Sequence, residues 1–150
     1  MRLVVTGGRS FNDKDFVNDS LFMMHQYFPI SVLIEGGATG ADALAKQWAE
    51  SLGIEIKTYE ADWKNLNVPY PVIKTNRYGS LYNAKAGFDR NELMITDGLP
   101  DFGIAFSGDK GTKNMKSLLK KHHVDFWDTS SEDFFSFLKR TGPDIITVAE

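Results

Sequence analysis

Five short runs rich in β-branched and aromatic residues, RLVVT (2–6), SVLIE (31–35), IEIKTY (54–59), FGIAF (102–106) and VDFWD (124–128), alternate with longer stretches of helical period. No other feature of the chain constrains its fold as much. Parallel strands need a connecting element that runs back along the sheet, so this alternation predicts right-handed crossovers and a mainly parallel sheet covered on both faces. The expected fold is a single-domain, Rossmann-like α/β architecture around a five-stranded sheet. Its clearest helix is ADALAKQWAESLG, in which Ala41, Leu44, Ala45, Trp48, Ala49 and Leu52 form one apolar stripe, with Asp42 in the first turn and Gly53 past the end. Weaker patterns predict helices over about 13–28, 88–97, 112–122 and 130–139, the last capped by Ser130 or Ser131. The tail GPDIITVAE reads equally as an edge strand or a loose end.

A length of 150 residues suits one domain, and 42% hydrophobic with 25% charged residues is ordinary globular composition. The absence of cysteine excludes a disulfide scaffold, thiolate zinc sites and a cysteine nucleophile. MRLVVTGG carries no cleavage-type segment and no run approaches a membrane span, so a cytoplasmic protein with no membrane partner is expected. A net charge of −3 argues against a broad electrostatic grip on nucleic acid, which is therefore not expected as a partner.

One segment departs from the alternation. KNLNVPYPVIKTNRYGSLYNAKAGF (64–88) carries Lys64, Lys74, Arg77 and Lys85, three tyrosines and no carboxylate. Long connections inside compact domains are commonly functional, and this one, at about 64–86, reads as a lid-like insertion over an anion.

Three strand-to-helix junctions are glycine-rich: TGGRSF (6–11), EGGATGAD (35–42) and SGDKGTKNM (107–115). In an open parallel sheet all such junctions lie on the carboxyl edge, and ligands bind there where the strand order reverses. If the first strand is central, the three loops converge on one crevice. Glycine N–H groups and a helix N-terminus suit an anion, so Gly7, Gly8, Arg9, Gly108, Gly111 and Thr112 are candidates to hold a phosphate. Gly108 and Gly111 are expected to form the turn and Thr112 to begin the helix. Gly36 and Gly37 belong to the second loop. Asp42 is either a ligand contact or a first-turn acid, and Glu35 either holds a ribose hydroxyl or bonds to loop amides. Arg90 and Asn91, in AGFDRNELM, are further candidates, since arginine matches phosphate bidentately. His25, His122 and His123 show no ligand spacing, and neither a metal nor a cofactor is expected. Walker, dinucleotide (GxGxxG) and GxSxG signatures are absent.

VTGGRSF, IEGGATGADALAKQWA, ADW (61–63), AGFDRNELM (86–94) and FSGDKGTKNM (106–115) together resemble, in order and spacing, the SLOG superfamily, most closely its small single-domain branch related to the YspA and YpsA proteins. The resemblance implies a fold that binds nucleotides or nucleotide-derived ligands, in a superfamily that includes LOG-type phosphoribohydrolases and DNA-processing protein A. LOG-type hydrolases carry PGGxGTxxE, where this chain has Asp109 for the second glycine and Asn114 and Met115 where carboxylates would stand. The branch often has histidine before the second loop, where this chain has Glu35. The resemblance thus implies a nucleotide-type small molecule as ligand and a sensor or sequestering role. The alternative is a nucleoside-monophosphate N-glycosidase, with Arg90 placing the phosphate and Glu35, Asp42 or Asp89 as the carboxylate. A single-stranded nucleic-acid module ranks lower. A homodimer is expected, because relatives commonly associate and Trp127, Phe134 and Phe135 exceed what one sheet edge needs.

Overall fold

A computed structural model describes residues 1–142; the tail GPDIITVAE therefore lies, but for Gly142, outside the described residues. The strands are β1 (Arg2–Thr6), β2 (Val32–Glu35), β3 (Glu55–Thr58), β4 (Ile73–Thr75), β5 (Leu81–Asn83), β6 (Phe102–Ala105) and β7 (Phe126–Asp128). The helices are α1 (Lys14–Tyr27), α2 (Ala41–Ser51), α3 (Ala86–Thr96), α4 (Lys110–Lys121) and α5 (Phe134–Thr141). Five strands form a parallel sheet in the order β3-β2-β1-β6-β7. The chain builds outward from β1 to one edge, then returns to β6 on its other side, and this reversal beside β1 opens a crevice at the strands' carboxyl ends.

The periodicity of β1 explains its central place. Leu3 and Val5 enter the core shared with Val17, Leu21, Ala45, Trp48 and Phe137, whereas Val4 points to the opposite side, with Ile34, Met94, Met115 and Leu119. A strand apolar on both faces has to be covered on both. Helices α1, α2 and α5 cover the first face, α3 and α4 the second. Among the described residues no helix is long and apolar enough to cross a membrane.

Three helix starts differ from expectation. α5 is capped not by Ser130 or Ser131 but by Asp133, whose carboxylate accepts from the Ser136 N–H at 2.8 Å. α3 begins at Ala86, two residues early. α4 begins at Lys110 rather than Thr112, because Asp109 caps it by accepting from the Gly111 N–H at 3.3 Å; Gly111 thus sits in the first helical turn and not in a loop. Trp127 and Phe134, two of the aromatic residues behind the expected homodimer, close the monomer's own core, their rings 5.2 Å apart. Only Phe135 of the three is exposed, at 60%.

The 64–88 segment is partly ordered as an antiparallel ribbon, β4 with β5, turning through Asn76 to Ser80. Three-residue strands are too short to show alternation, which is why the sequence pattern gives only a loop. The ribbon is fastened to the body through Asn83, whose buried amide N–H donates to the Trp63 carbonyl at 2.6 Å. The Asn83 side-chain oxygen accepts from Val72 and Lys85 N–H groups at 3.3 and 3.0 Å.

Candidate functional site

The three glycine-rich loops are stitched to one another above the carboxyl ends of β1, β2 and β6. Gly8 donates its N–H to the Ser107 carbonyl at 2.8 Å and accepts on its own carbonyl from the Ala41 N–H at 3.2 Å, so it joins the first loop to both others. The Thr39 hydroxyl donates to the Arg9 carbonyl at 3.0 Å. Gly40, with φ of +76°, caps α2 where any Cβ would strike the carbonyl of Gly8; the close approach of the first two loops therefore requires glycine.

Below this junction lies a cavity of about 270 Å³. Seven of the residues singled out in the sequence line it: Gly7, Arg9, Asp42, Arg90, Asn91, Gly111 and Thr112. Five do not. Gly8 and Gly108 form the packed seam between loops, and the amide of Gly8, taken by Ser107, is not available to an anion. Gly36 and Gly37 face an adjoining cavity. Glu35 reaches neither, because its carboxylate is buried and accepts from the Gly37 N–H at 3.0 Å, which is the loop-amide alternative and not the ribose contact.

Two arginines, Arg9 and Arg90, and two aspartates, Asp42 and Asp109, are the charged residues of the first cavity's wall. Arg90, half-buried on α3, donates through Nη1 to the Gly36 carbonyl and through Nε to the Asn91 side-chain oxygen at 3.1 Å. Asn91 is buried and spends its own N–H groups on the Gly111 carbonyl, at 3.2 Å, and on the Asn114 side-chain oxygen, at 3.0 Å. It thereby ties the α4 N-terminus to α3 and fixes the plane of Arg90. The Arg9 guanidinium lies 5.2 Å from the Trp63 ring centroid. Among the described residues, no carboxylate stands within ion-pair distance of either arginine. Burial lowers the Arg90 pKa; neighbouring Asp42 opposes that shift, while Arg9 adds to it.

Two carboxylates sit behind the arginines. Asp42 accepts from the Gly36 and Ala38 N–H groups at 3.2 and 3.3 Å, and burial, then repulsion from Glu35, raises its pKa to about 6. Burial likewise raises Glu35, against the hydrogen bonds from Thr58 and Gly37.

Thr112 completes the site. It is 4% exposed, lines the cavity, and its hydroxyl has no hydrogen-bond partner. Gly108 is pressed so closely against this side chain that any Cβ there would overlap the hydroxyl. At the start of α4, the amides of the cavity-lining residues Asp109 and Thr112 find no acceptor among the described residues. Such a set, two arginines, an unpaired hydroxyl and helix-start amides, suits a compact oxyanion.

Trp63 has no role in the sequence reading beyond its place in ADW, yet it lines both cavities, with its ring edge against Gly87. Its signal was a lone tryptophan in a polar loop. The lid tyrosines, by contrast, line neither cavity; Tyr70 and Tyr78 are 90% and 76% exposed.

Residues 1–66 match the YspA, cpYpsA-related SLOG family. The Gene 61 protein of Mycobacterium phage D29 is 30% identical over 111 residues, which cover 70% of this chain and 75% of that protein. The chain belongs to the YspA, cpYpsA-related SLOG family. The matched residues carry the first two glycine-rich loops, β1 to β3 and Trp63. Two solved structures share the fold. DNA processing protein A of Streptococcus pneumoniae superimposes with a TM-score of 0.57 at 18% identity, over 83% of this chain and 48% of that one, so this SLOG chain spans about half of the pneumococcal protein. DNA processing protein A of Helicobacter pylori, a structure described for its single-stranded DNA binding mode, gives a TM-score of 0.57 at 19% identity, over 99% of this chain and 78% of that one. That neighbour overturns the exclusion of nucleic acid drawn from net charge. A net value averages over the surface, whereas the 64–88 segment carries four basic residues and no acid.

Proposed function

We propose that this SLOG-family chain binds a nucleotide or nucleotide-derived ligand, with its phosphate in the inner cavity between Arg9, Arg90 and Thr112. The observation that carries the reading is the cavity walled by two arginines that lack a close ion-pair partner among the described residues and by the start of α4, where the buried Thr112 hydroxyl, lying against Gly108, has no partner. An unmade hydrogen bond on a buried polar group costs about 1–3 kcal/mol, so such a group is expected to be completed by a ligand or water. Binding without cleavage is the favoured form. Asn114 is engaged by Asn91, and Met115 is buried in the core between α4 and the sheet, so neither position supplies the carboxylate of a phosphoribohydrolase. Calorimetric titration with AMP and with ribose 5-phosphate tests this directly. Both should bind, Arg90→Ala should weaken binding by about 1–3 kcal/mol, and chromatography should recover AMP intact. No binding of either, or equal binding by the variant, refutes the reading. Release of adenine that is lost in Asp42→Asn would establish the enzyme instead, with Asp42, which lines the cavity, in place of Glu35, which does not.

A second reading rests on the ribbon. Tyr70 and Tyr78 are exposed among Lys74, Arg77 and Lys85, the Arg77 guanidinium lies over the Tyr78 ring at 4.9 Å, and stacking faces within a basic stretch suit single-stranded nucleic acid. The likeness to the Helicobacter protein favours the same idea. A fluorescent oligo-dT should then bind in a salt-sensitive manner, and Arg77→Glu with Tyr78→Ala should abolish that binding while leaving AMP titration unchanged.

A further inference from the structure

The groove continues beyond the phosphate end. A second cavity, of about 360 Å³, adjoins the first and shares Arg9, Ala38, Trp63 and Arg90 with it. Its other walls are the backbone from Gly36 to Thr39 and the residues Glu60 and Ala61. One aromatic wall and one free acid thus stand together. Trp63 is held in place, with the Arg9 guanidinium against its ring and Gly87 under its outer edge, where a Cβ would come within 2.9 Å of the indole. The Glu60 stem lies along Gly37, its Cγ 2.9 Å from where a Cβ would stand. The carboxylate beyond it is exposed and makes no hydrogen bond or ion pair among the described residues. A stem laid flat on the glycine loop keeps that carboxylate over the outer cavity.

We propose that the outer cavity is a nucleobase site selective for guanine, with Glu60 as the specificity-determining residue; the proposal rests on the phosphate reading above. The reason is a count of donors and acceptors. An ionised carboxylate only accepts, through two oxygens side by side. Guanine presents the N1–H and the N2 amino group next to each other, so it meets the carboxylate with two parallel hydrogen bonds. Adenine sets a ring-nitrogen lone pair beside its amino group, cytosine does the same, and uracil flanks its single N–H with two carbonyls. Each of these faces at least one carboxylate oxygen with a lone pair. Bidentate, charge-assisted pairs are the strong class of hydrogen bond, and because the Glu60 carboxylate is exposed and hydrated when unpaired, the choice comes from making that pair and not from stranding a buried charge. Stacking on Trp63 is indifferent to the base, because every base has a π face. In this division Trp63 supplies affinity and Glu60 supplies choice.

Titration calorimetry with GMP, IMP, AMP and ribose 5-phosphate separates the two parts. GMP is expected to bind at least about tenfold more tightly than AMP, with IMP, which lacks the N2 amino group, in between. Glu60→Gln should bring GMP to the affinity of AMP and leave ribose 5-phosphate unchanged. Equal affinities for GMP and AMP, with ribose 5-phosphate still bound, would overturn the guanine site and leave the phosphate site standing. A preference for GMP that survives in Glu60→Gln would overturn the assignment of Glu60. If not even ribose 5-phosphate binds, both readings fall together.

Discussion

Asp42→Asn is expected to make the protein more stable at neutral pH. Asp42 is 7% exposed and sits beside buried Glu35, and its pKa is raised from 3.8 to about 6. A native state that holds the proton more tightly than the unfolded chain is favoured at low pH. The contribution is fully present below about pH 4 and is lost as pH rises through about 6. About two units at 1.36 kcal/mol each give roughly 3 kcal/mol lost by pH 7.5. Asparagine mimics the protonated acid, and because both loop amides bond to a single oxygen, Oδ2, the carboxamide oxygen can accept the same pair. The variant should therefore gain about 2–3 kcal/mol over the wild type at pH 7.5, a rise in Tm of roughly 4–12 °C for a chain of this size, and little at pH 4. A slope remains in the variant, since burial raises Glu35 as well, but it should be shallower once the Asp42 charge is gone. Urea denaturation at pH 4.0, 5.0, 6.0 and 7.5 measures all of this. A variant no more stable than wild type at pH 7.5, or one with the wild-type slope, refutes the argument.

Thr112→Val removes a buried hydroxyl that has no partner while keeping the shape, so thermal stability should hold or rise slightly as phosphate affinity falls by about 1 kcal/mol; loss of stability would mean that the hydroxyl is bonded within the protein. Gly108→Ala should destabilise by about 1–3 kcal/mol, because its Cβ would meet both Thr112 and, at 2.8 Å, the amide nitrogen of Gly8; an unchanged denaturation midpoint would contradict the packed seam. In hydrogen exchange without ligand, the exposed ribbon tip, where Tyr78, Gly79 and Ser80 amides bond only to Asn76 within the turn, should exchange faster than the amides of Asn83 and Ala84, bonded to Trp63 and Val72. Slow exchange at the tip would show that the ribbon already packs on something.

The sheet was legible because its signal is long-ranged and redundant. Leu3, Val4 and Val5 have to be buried on both faces, three glycine-rich junctions have to share one edge, and the strand order then brings their loops together. Helix starts were less legible, because a cap is one residue among several able to serve: Asp133 rather than Ser130, Asp109 ahead of Thr112. The site was legible by residue type and not by direction. Glu35 and Asp42 are two acids of one loop, and only the turn at Gly36 and Gly37 decides that one is folded under the backbone and the other faces the cavity. Trp63 stayed silent because its role depends on Gly87 and Arg9, distant in sequence. Net charge misled, because four basic residues without an acid between them lie in a chain whose acids are elsewhere.

The placement of Asp42 also bears on how much charge the inner cavity accepts. With no ligand, Arg9 and Arg90 face each other's repulsion, and Asp42, with a smaller contribution from Glu35, is the nearby counter-charge to Arg90. Its carboxylate is held by two amides on the loop side and is not within ion-pair distance of Arg90, so the compensation is incomplete. On the proposed reading an entering phosphate would complete it, and in doing so would place a second negative charge near Asp42. Repulsion between the two should raise the Asp42 pKa further, so that binding takes up a proton at a pH just above 6. Affinity for ribose 5-phosphate should therefore fall between pH 6 and pH 8 in the wild type, after correction for the ligand's own ionisation, and this fall should vanish in Asp42→Asn, which should also bind more tightly at pH 8. Calorimetry in two buffers of different ionisation enthalpy reads the proton uptake directly. Uptake that persists unchanged in the variant would assign the proton to another group and detach Asp42 from the anion site.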